Sequence, residues 1–109
     1  MAVLDLLIAN GYNPELAKIT GVEAAALFNK ISELESMMPY DDGSCRETVE
    51  RLSDFTGLSQ DRLLFARYVL AESGLVAIED DGDYKRYRTD GDLYRRLVML
   101  GRRKSNGRQ

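Results

Sequence analysis

Residues 48–89 constrain the fold of this chain more than any other part of its sequence. Two helical patterns lie here, and only Gly57-Leu58-Ser59 separates them. Thr48 and Ser59 are favourable N-caps, and a glycine at the end of the first pattern suits the left-handed turn that closes a helix. Two helices joined by so short a glycine-containing turn are typical of a helix-turn-helix, with Leu58 packing in the angle between them.

A β-hairpin is predicted directly after the second helix. Gly74 ends that helix, residues 75–78 are a β-prone run, and residues 84–89 alternate aromatic and basic side chains around a turn that contains Gly82. We therefore predict a hairpin over residues 75–89. A helix pair followed by such a hairpin predicts a mainly α protein with a small β-hairpin, a winged helix-turn-helix.

The residues before this unit predict two more helices and a short strand. Asn13 caps a helix over residues 14–19, because a proline follows it at the first helical position. The run from Thr20 to Glu23 matches a capping box that opens a longer helix ending at Met38. Residues 44–47 are predicted as a strand.

A last amphipathic helix is expected after the hairpin, capped by Asp90 or Asp92, with Leu93, Leu97 and Leu100 facing inward. We predict a single domain over residues 1–100 and a disordered basic tail over residues 101–109. The expected core includes Phe28, Phe55, Leu63 and Leu70, and at least one of Tyr84 and Tyr87 should pack the hairpin on the helices.

Composition argues against an enzyme. The chain has no histidine and one cysteine, Cys45, which excludes Ser-His and Cys-His nucleophile pairs and most zinc sites. We predict no catalytic residue, no metal and no cofactor. A lone cysteine suits a reducing cytoplasm. The N-terminal run contains an acid and lacks a basic start, so we expect no export signal, and no membrane span is predicted.

Charge is distributed unevenly along the chain. Residues 1–84 carry 6 Lys/Arg and 16 Asp/Glu, whereas residues 85–109 carry 9 Lys/Arg and 2 Asp. Such asymmetry indicates that the basic end meets a polyanion, although a solvated basic tail is the alternative.

The sequence also resembles a known family. The run RETVERLSDFTGLSQDRLLFARYVLAESGLVAI, then YKRYRTD, with NPELAKITGVEAAALFNKI upstream, resembles the winged-helix domains of DnaD-type primosome proteins and phage replisome organisers. The likeness covers about residues 10–90, and MarR-like transcription regulators share much of it. It implies binding of double-stranded DNA in replication or transcription control, in a phage or mobile element.

The resemblance also implies which residues touch DNA. The second helix of the motif would enter the major groove and the hairpin would follow the backbone. The DNA-binding residues it implies are Ser59, Gln60, Arg62, Tyr68, Lys85, Arg86 and Arg88. Gln60 would read adenine and Arg62 guanine.

Two features favour a different interaction. Leu64 and Phe65 stand on the presumed reading face, and Asp61 lies near the presumed phosphates. An outward apolar pair marks a protein interface, so a winged-helix interaction module that does not bind DNA is the alternative. Separately, the last helix has more apolar positions than a minimal winged helix needs, so we expect a homodimer or a protein partner. A rotated helix, with Phe65 inward and Arg67 outward, is also open. If Arg62, Arg67 and the hairpin cations form one surface, DNA is favoured; if acids interrupt it, a protein partner is favoured.

Overall fold

The computed structural model describes residues 11–37 and 43–106, of which residues 104–106 are described by backbone alone. Within these ranges the chain is mainly helical and has a small three-stranded antiparallel sheet. The elements are α1 (Pro14–Thr20), α2 (Val22–Met37), β1 (Cys45–Glu47), α3 (Val49–Thr56), α4 (Gln60–Glu72), β2 (Val76–Asp81), β3 (Tyr84–Thr89) and α5 (Gly91–Asn106). None of the described helices is long and apolar enough to cross a membrane.

The first two helices meet at a glycine, not at a capping box. Asn13 caps α1 as predicted, since its Oδ1 accepts from the Glu15 N–H at 2.8 Å. Thr20 is the last residue of α1, and its hydroxyl donates to the Leu16 carbonyl at 3.2 Å. The capping box from Thr20 is therefore wrong, because that side chain is already bonded within α1. Gly21 makes the turn with φ +90°, and the predicted end of α2 at Met38 lies outside the described residues.

The α3–α4 pair follows the local signals in the sequence. The Thr48 hydroxyl accepts from the Arg51 N–H at 3.2 Å, and Gly57 closes α3 in the left-handed conformation. The Ser59 hydroxyl caps α4 by accepting from the Arg62 N–H at 3.3 Å. Leu58, between the helices, is buried. The predicted helix, short turn and second helix are confirmed.

The sheet has the order β1-β3-β2. The hairpin expected over residues 75–89 is confirmed as β2 and β3, although its turn is tighter than predicted because β2 extends to Asp81. Tyr87, at the middle of β3, pairs with Ile78 on one side and with Cys45 on the other. Burial raises the pKa of the Cys45 thiol to about 12, so this cysteine packs as a small apolar side chain.

The core lies between the helices and one face of the sheet. Phe28, Leu63, Leu70 and Tyr87 are buried as expected, and Phe55 is half-buried against them. Tyr87 thus fulfils the expectation that one hairpin tyrosine packs on the helices, while Tyr84 is exposed.

The last helix is longer than the sequence suggested. Asp90 is its cap, since its Oδ1 accepts from the Leu93 N–H at 3.0 Å. The helix continues to Asn106, so residues 101–106, expected as a tail, are helical. Gly101 lies within this helix at its contact with α1. A Cβ at this residue would lie 2.0 Å from the Glu15 carbonyl oxygen. Instead of ending the helix, this glycine lets α5 approach α1. Residues 107–109 lie outside the described residues.

Candidate functional site

The outer face of α4 lies opposite the face that packs into the core. Leu63, Ala66 and Leu70 point into the core, and side chains on the opposite side of a helix must then face away from it. Leu64, Phe65 and Tyr68 occupy that outer side with exposed fractions of 41, 62 and 60%. Three large, largely apolar side chains are therefore adjacent in solvent.

The orientation of α4 decides between the two rotations left open by the sequence. Phe65 is outward, while Arg67 is half-buried and donates from Nη1 to the Tyr87 hydroxyl at 3.4 Å. The rotation that places Phe65 inward and Arg67 outward is wrong. The reason is that Leu63, Ala66 and Leu70 form the continuous buried stripe of the helix.

The start of α4 carries three of the residues expected to contact DNA. Ser59 is exposed, but its hydroxyl is occupied by the helix cap. Gln60 is exposed at the first position of the helix. Arg62 makes an ion pair with Glu23 of α2, with Nη1 and Oε2 at 3.3 Å.

Cations of the hairpin are paired with acids of the same sheet. Lys85 bonds to Asp80, and this hydrogen bond, together with the nearby charge, lowers the pKa of the Asp80 carboxyl. Arg86 lies 3.1 Å from Asp81, which also holds Arg46 at 3.2 Å. The Asp81 carboxylate therefore contacts the guanidinium groups of both arginines.

The charge of the hairpin follows from this pairing. Glu79 stands opposite Arg86 in the sheet, and Arg88 is exposed opposite Ala77. Residues 76–89 contain four acids and three bases. The arginines and lysine expected to bind phosphates do not form an uninterrupted positive surface, because acids alternate with them.

A basic surface lies elsewhere, on α5. Its buried side, which includes Tyr94 stacked on Phe28 with centroids 4.9 Å apart, packs on the core. The opposite side exposes Arg95, Arg96, Met99, Leu100, Arg102 and Arg103. The prediction that Leu100 faces inward is therefore wrong, because Leu93, Tyr94, Leu97 and Val98 form the packed side. The sequence does not predict this surface, because the residues beyond Leu100 are expected to form a tail. The signal was present, since pairs of arginines recur seven residues apart, a spacing that returns to nearly the same helical face.

No group of three or more His, Cys, Asp or Glu side chains that could hold a metal occurs among residues 11–37 and 43–106. The cleft between α1, α2 and α5 is lined by Asn13, Asn29, Tyr94 and Arg95 among others. Ser32 and Thr89 also line the cleft, and the Thr89 hydroxyl donates to the Glu35 carboxylate. The same carboxylate accepts from the Thr89 N–H at 2.9 Å, so this contact ties the end of β3 to α2.

Comparison with protein-family models, with curated proteins and with solved structures gives no match for this chain.

Proposed function

We propose that this chain is a winged helix-turn-helix domain that binds a protein partner through the outer face of α4. The observation that carries the proposal is the exposure of Leu64, Phe65 and Tyr68 side by side on one helix. Tyrosine and large apolar side chains that lose their solvent on binding dominate the energetics of protein interfaces. Adjacent exposed groups of this size mark interaction sites.

Electrostatics support the same partner class. Binding to duplex DNA depends on cations that neutralise phosphates and release counterions. Arg62, Lys85 and Arg86 are each already next to a carboxylate of this chain. To contact phosphate they must exchange one anion for another, so the gain from each contact is reduced. An apolar partner surface requires no such exchange.

The fold assignment within the proposal has its own support. A short glycine-containing turn joins α3 to α4, and the β2–β3 hairpin follows α4 immediately. These are the parts of a helix-turn-helix with a wing. Tyr87 and Arg67 link the hairpin to α4 through a hydrogen bond of 3.4 Å.

The experiment is affinity capture from the source cells with matched baits. Wild-type protein is compared with the double variant Phe65→Ser/Tyr68→Ser and with Met37→Ser. Met37 is 66% exposed at the end of α2, so its substitution removes exposed apolar surface away from α4. We expect a protein captured by wild type and by Met37→Ser to be lost with the double variant. The direct affinity of that purified protein should fall about tenfold or more, as for an interface hot spot.

The proposal is wrong if the double variant, shown to be folded by its circular dichroism and melting temperature, captures the same proteins as wild type. Purified components are needed for the second step because capture alone does not distinguish direct from indirect binding.

Duplex DNA is the second candidate ligand, in the replication or transcription control of a phage or mobile element. The observation that favours it is the exposed arginine set on the hairpin and the last helix: Arg88, Arg95, Arg96, Arg102 and Arg103. If about four to six phosphates are contacted, log K falls against log salt with a slope of about −4 to −5. Titration of a duplex at several salt concentrations tests this. A protein that binds no duplex at low salt excludes the candidate.

A further inference from the structure

Two exposed stripes on this protein are opposite in charge and alike in layout. The α4 stripe consists of Asp61, Leu64, Phe65, Tyr68 and Glu72. The α5 stripe consists of Arg95, Arg96, Met99, Leu100, Arg102 and Arg103. All of these residues are exposed. In each stripe apolar side chains occupy the middle and charged side chains occupy both ends, acids on α4 and arginines on α5.

The charged ends of the α4 stripe lie a few ångströms farther apart than those of the α5 stripe. Asp61 and Glu72 lie about 16 Å apart along the helix axis at 1.5 Å per residue, and the arginine pairs of α5 lie about 10 Å apart. An arginine side chain bridges the remaining few ångströms at each end because it is long and carries its charge at the tip. With the helices aligned side by side, apolar meets apolar and each acid meets an arginine.

Most charged residues at the ends of the stripes have no ion-pair partner within one copy, although Arg95 pairs with Asp92. Among residues 11–37 and 43–106, neither Asp61 nor Glu72 lies within ion-pair distance of a cation, and the same holds for Arg96 and Arg103 with respect to carboxylates. This contrasts with the hairpin, where Asp80 and Asp81 are paired. Opposite charges left exposed on two surfaces of one molecule favour contact between copies.

We propose that the α4 stripe of one copy docks on the α5 stripe of a second copy, head to tail. The proposal rests on α4 being a protein-binding surface and names the partner as this same chain. Two different surfaces meet in such a contact, so the copy at either end of an assembly retains one unoccupied stripe. Association then continues into a ring or an open chain, unlike a two-fold dimer, which closes at two copies.

A membrane is the less suitable occupant for the α5 stripe. A helix that lies in a membrane surface buries a broad apolar face in the lipid. The broad apolar face of α5, with Leu93, Tyr94, Leu97 and Val98, is already packed on the core. Only Met99 and Leu100, 49 and 44% exposed, remain outside.

The test is sedimentation velocity of charge-reversed variants, alone and mixed. Variant one is Asp61→Lys/Glu72→Lys and variant two is Arg96→Glu/Arg103→Glu. Wild type should associate with rising protein concentration, and added salt should weaken that association because the charged ends are screened. Variant one alone has two positive stripes, and in variant two the introduced glutamates offset Arg95 and Arg102, so its α5 stripe no longer attracts the acidic α4 stripe. Self-association of each variant alone should therefore weaken about tenfold or more. An equimolar mixture restores opposite stripes, so it should associate again.

Several outcomes overturn the proposal. Wild type that remains monomeric at about millimolar concentration excludes it. If variant two alone associates like wild type, α4 pairs with itself; if variant one does so, α5 pairs with itself. A mixture that remains monomeric, with both variants shown to be folded by circular dichroism, also excludes it.

The proposed function can be judged separately from self-association. Phe65→Ser/Tyr68→Ser is tested against captured proteins other than this chain, whereas sedimentation involves this chain alone. A monomeric wild type that loses a captured partner through Phe65→Ser/Tyr68→Ser leaves the α4 face as a docking site and removes only the head-to-tail contact.

Discussion

The hairpin and the last helix carry the same kinds of basic side chain but differ in how many of these side chains pair with acids. In the hairpin, Lys85 and Arg86 are held by Asp80 and Asp81. On α5, residues 91–106 contain five basic residues and one acid, Asp92, which bonds to Arg95. One region is therefore close to neutral over its surface, whereas the other keeps most of its positive charge.

This difference shows that the number of basic residues does not determine an electrostatic surface. Antiparallel pairing brings Asp80 opposite Lys85 and Glu79 opposite Arg86, so the hairpin neutralises itself through its register. A helix brings together residues three and four apart, and beyond Asp92 in the first turn of α5 these neighbours are arginine, methionine and leucine. The secondary structure decides which charges cancel.

The largest expected effect concerns the packing of the hairpin on the helices. Tyr87 is fully buried and is the largest side chain of β3 in the core. Tyr87→Ala should lower the free energy of unfolding by about 3–5 kcal/mol, because it removes a buried aromatic ring and leaves a cavity. Urea unfolding measures this. Tyr84→Ala, on the exposed end of the same strand, is the matched control and should cost far less; equal losses would contradict the packing described for Tyr87.

A somewhat smaller effect is expected where α5 contacts α1. A methyl group at residue 101 would overlap the Glu15 carbonyl, 2.0 Å away. Gly101→Ala should therefore destabilise the protein by about 1–3 kcal/mol through overpacking. At Gly91 the nearest atom to an added Cβ is the Arg95 Nη1 at 3.6 Å. Gly91→Ala should consequently be neutral or stabilising, and a melting experiment that ranks the two substitutions in the opposite order contradicts the α5 position.

Local signals made much of the fold predictable. Thr48, Gly57 and Ser59 act within a few residues of themselves, as caps and turn, and all three do what the sequence indicated. The end of α5 was not predictable in this way. Gly101 has the sequence signature of a helix end, and its role in a close approach to Glu15 depends on a helix that lies 86 positions earlier in the chain.

The sequence indicated which residues form the candidate surface, but it did not indicate which acid pairs with its arginine. Leu64 and Phe65 were recognised as unusual on a DNA-reading face, and both are exposed. The partner of Arg62 is Glu23, which belongs to a distant part of the sequence. Periodicity gives the face of a residue, but the register of packed helices and strands decides which opposite charge it meets.

Removing the charge of Asp81 should leave more net positive charge on the sheet, as on α5. Asp81 contacts both Arg46 and Arg86, at 3.2 and 3.1 Å. Asp81→Asn removes a carboxylate that contacts two arginines, so retention on a heparin column at neutral pH should increase. Asp54→Asn makes the same change of net charge at an exposed residue of α3 and should increase retention less. The loss of stability should be about 0.2–1 kcal/mol, because the ion pairs are partly exposed to solvent. Equal retention of the two variants would show that the hairpin arginines are not neutralised by Asp81.

The smallest effect concerns a single carboxyl group of the hairpin. The hydrogen bond and charge of Lys85 lower the pKa of Asp80 below its ordinary value of 3.8. A carboxyl whose pKa is lowered by folding stabilises the protein above its unfolded pKa, and that contribution disappears as the pH falls through the folded pKa. The relevant window therefore lies below pH 3.8. Lys85→Gln removes the cation, so the pKa of Asp80 should return toward its ordinary value, whereas Lys85→Arg should keep it low. Carbon-13 NMR titration of the Asp80 carboxyl measures both. If the wild-type carboxyl titrates at its ordinary value and neither substitution shifts it, Lys85 is not paired in solution, and the hairpin loses the self-neutralisation that distinguishes it from α5.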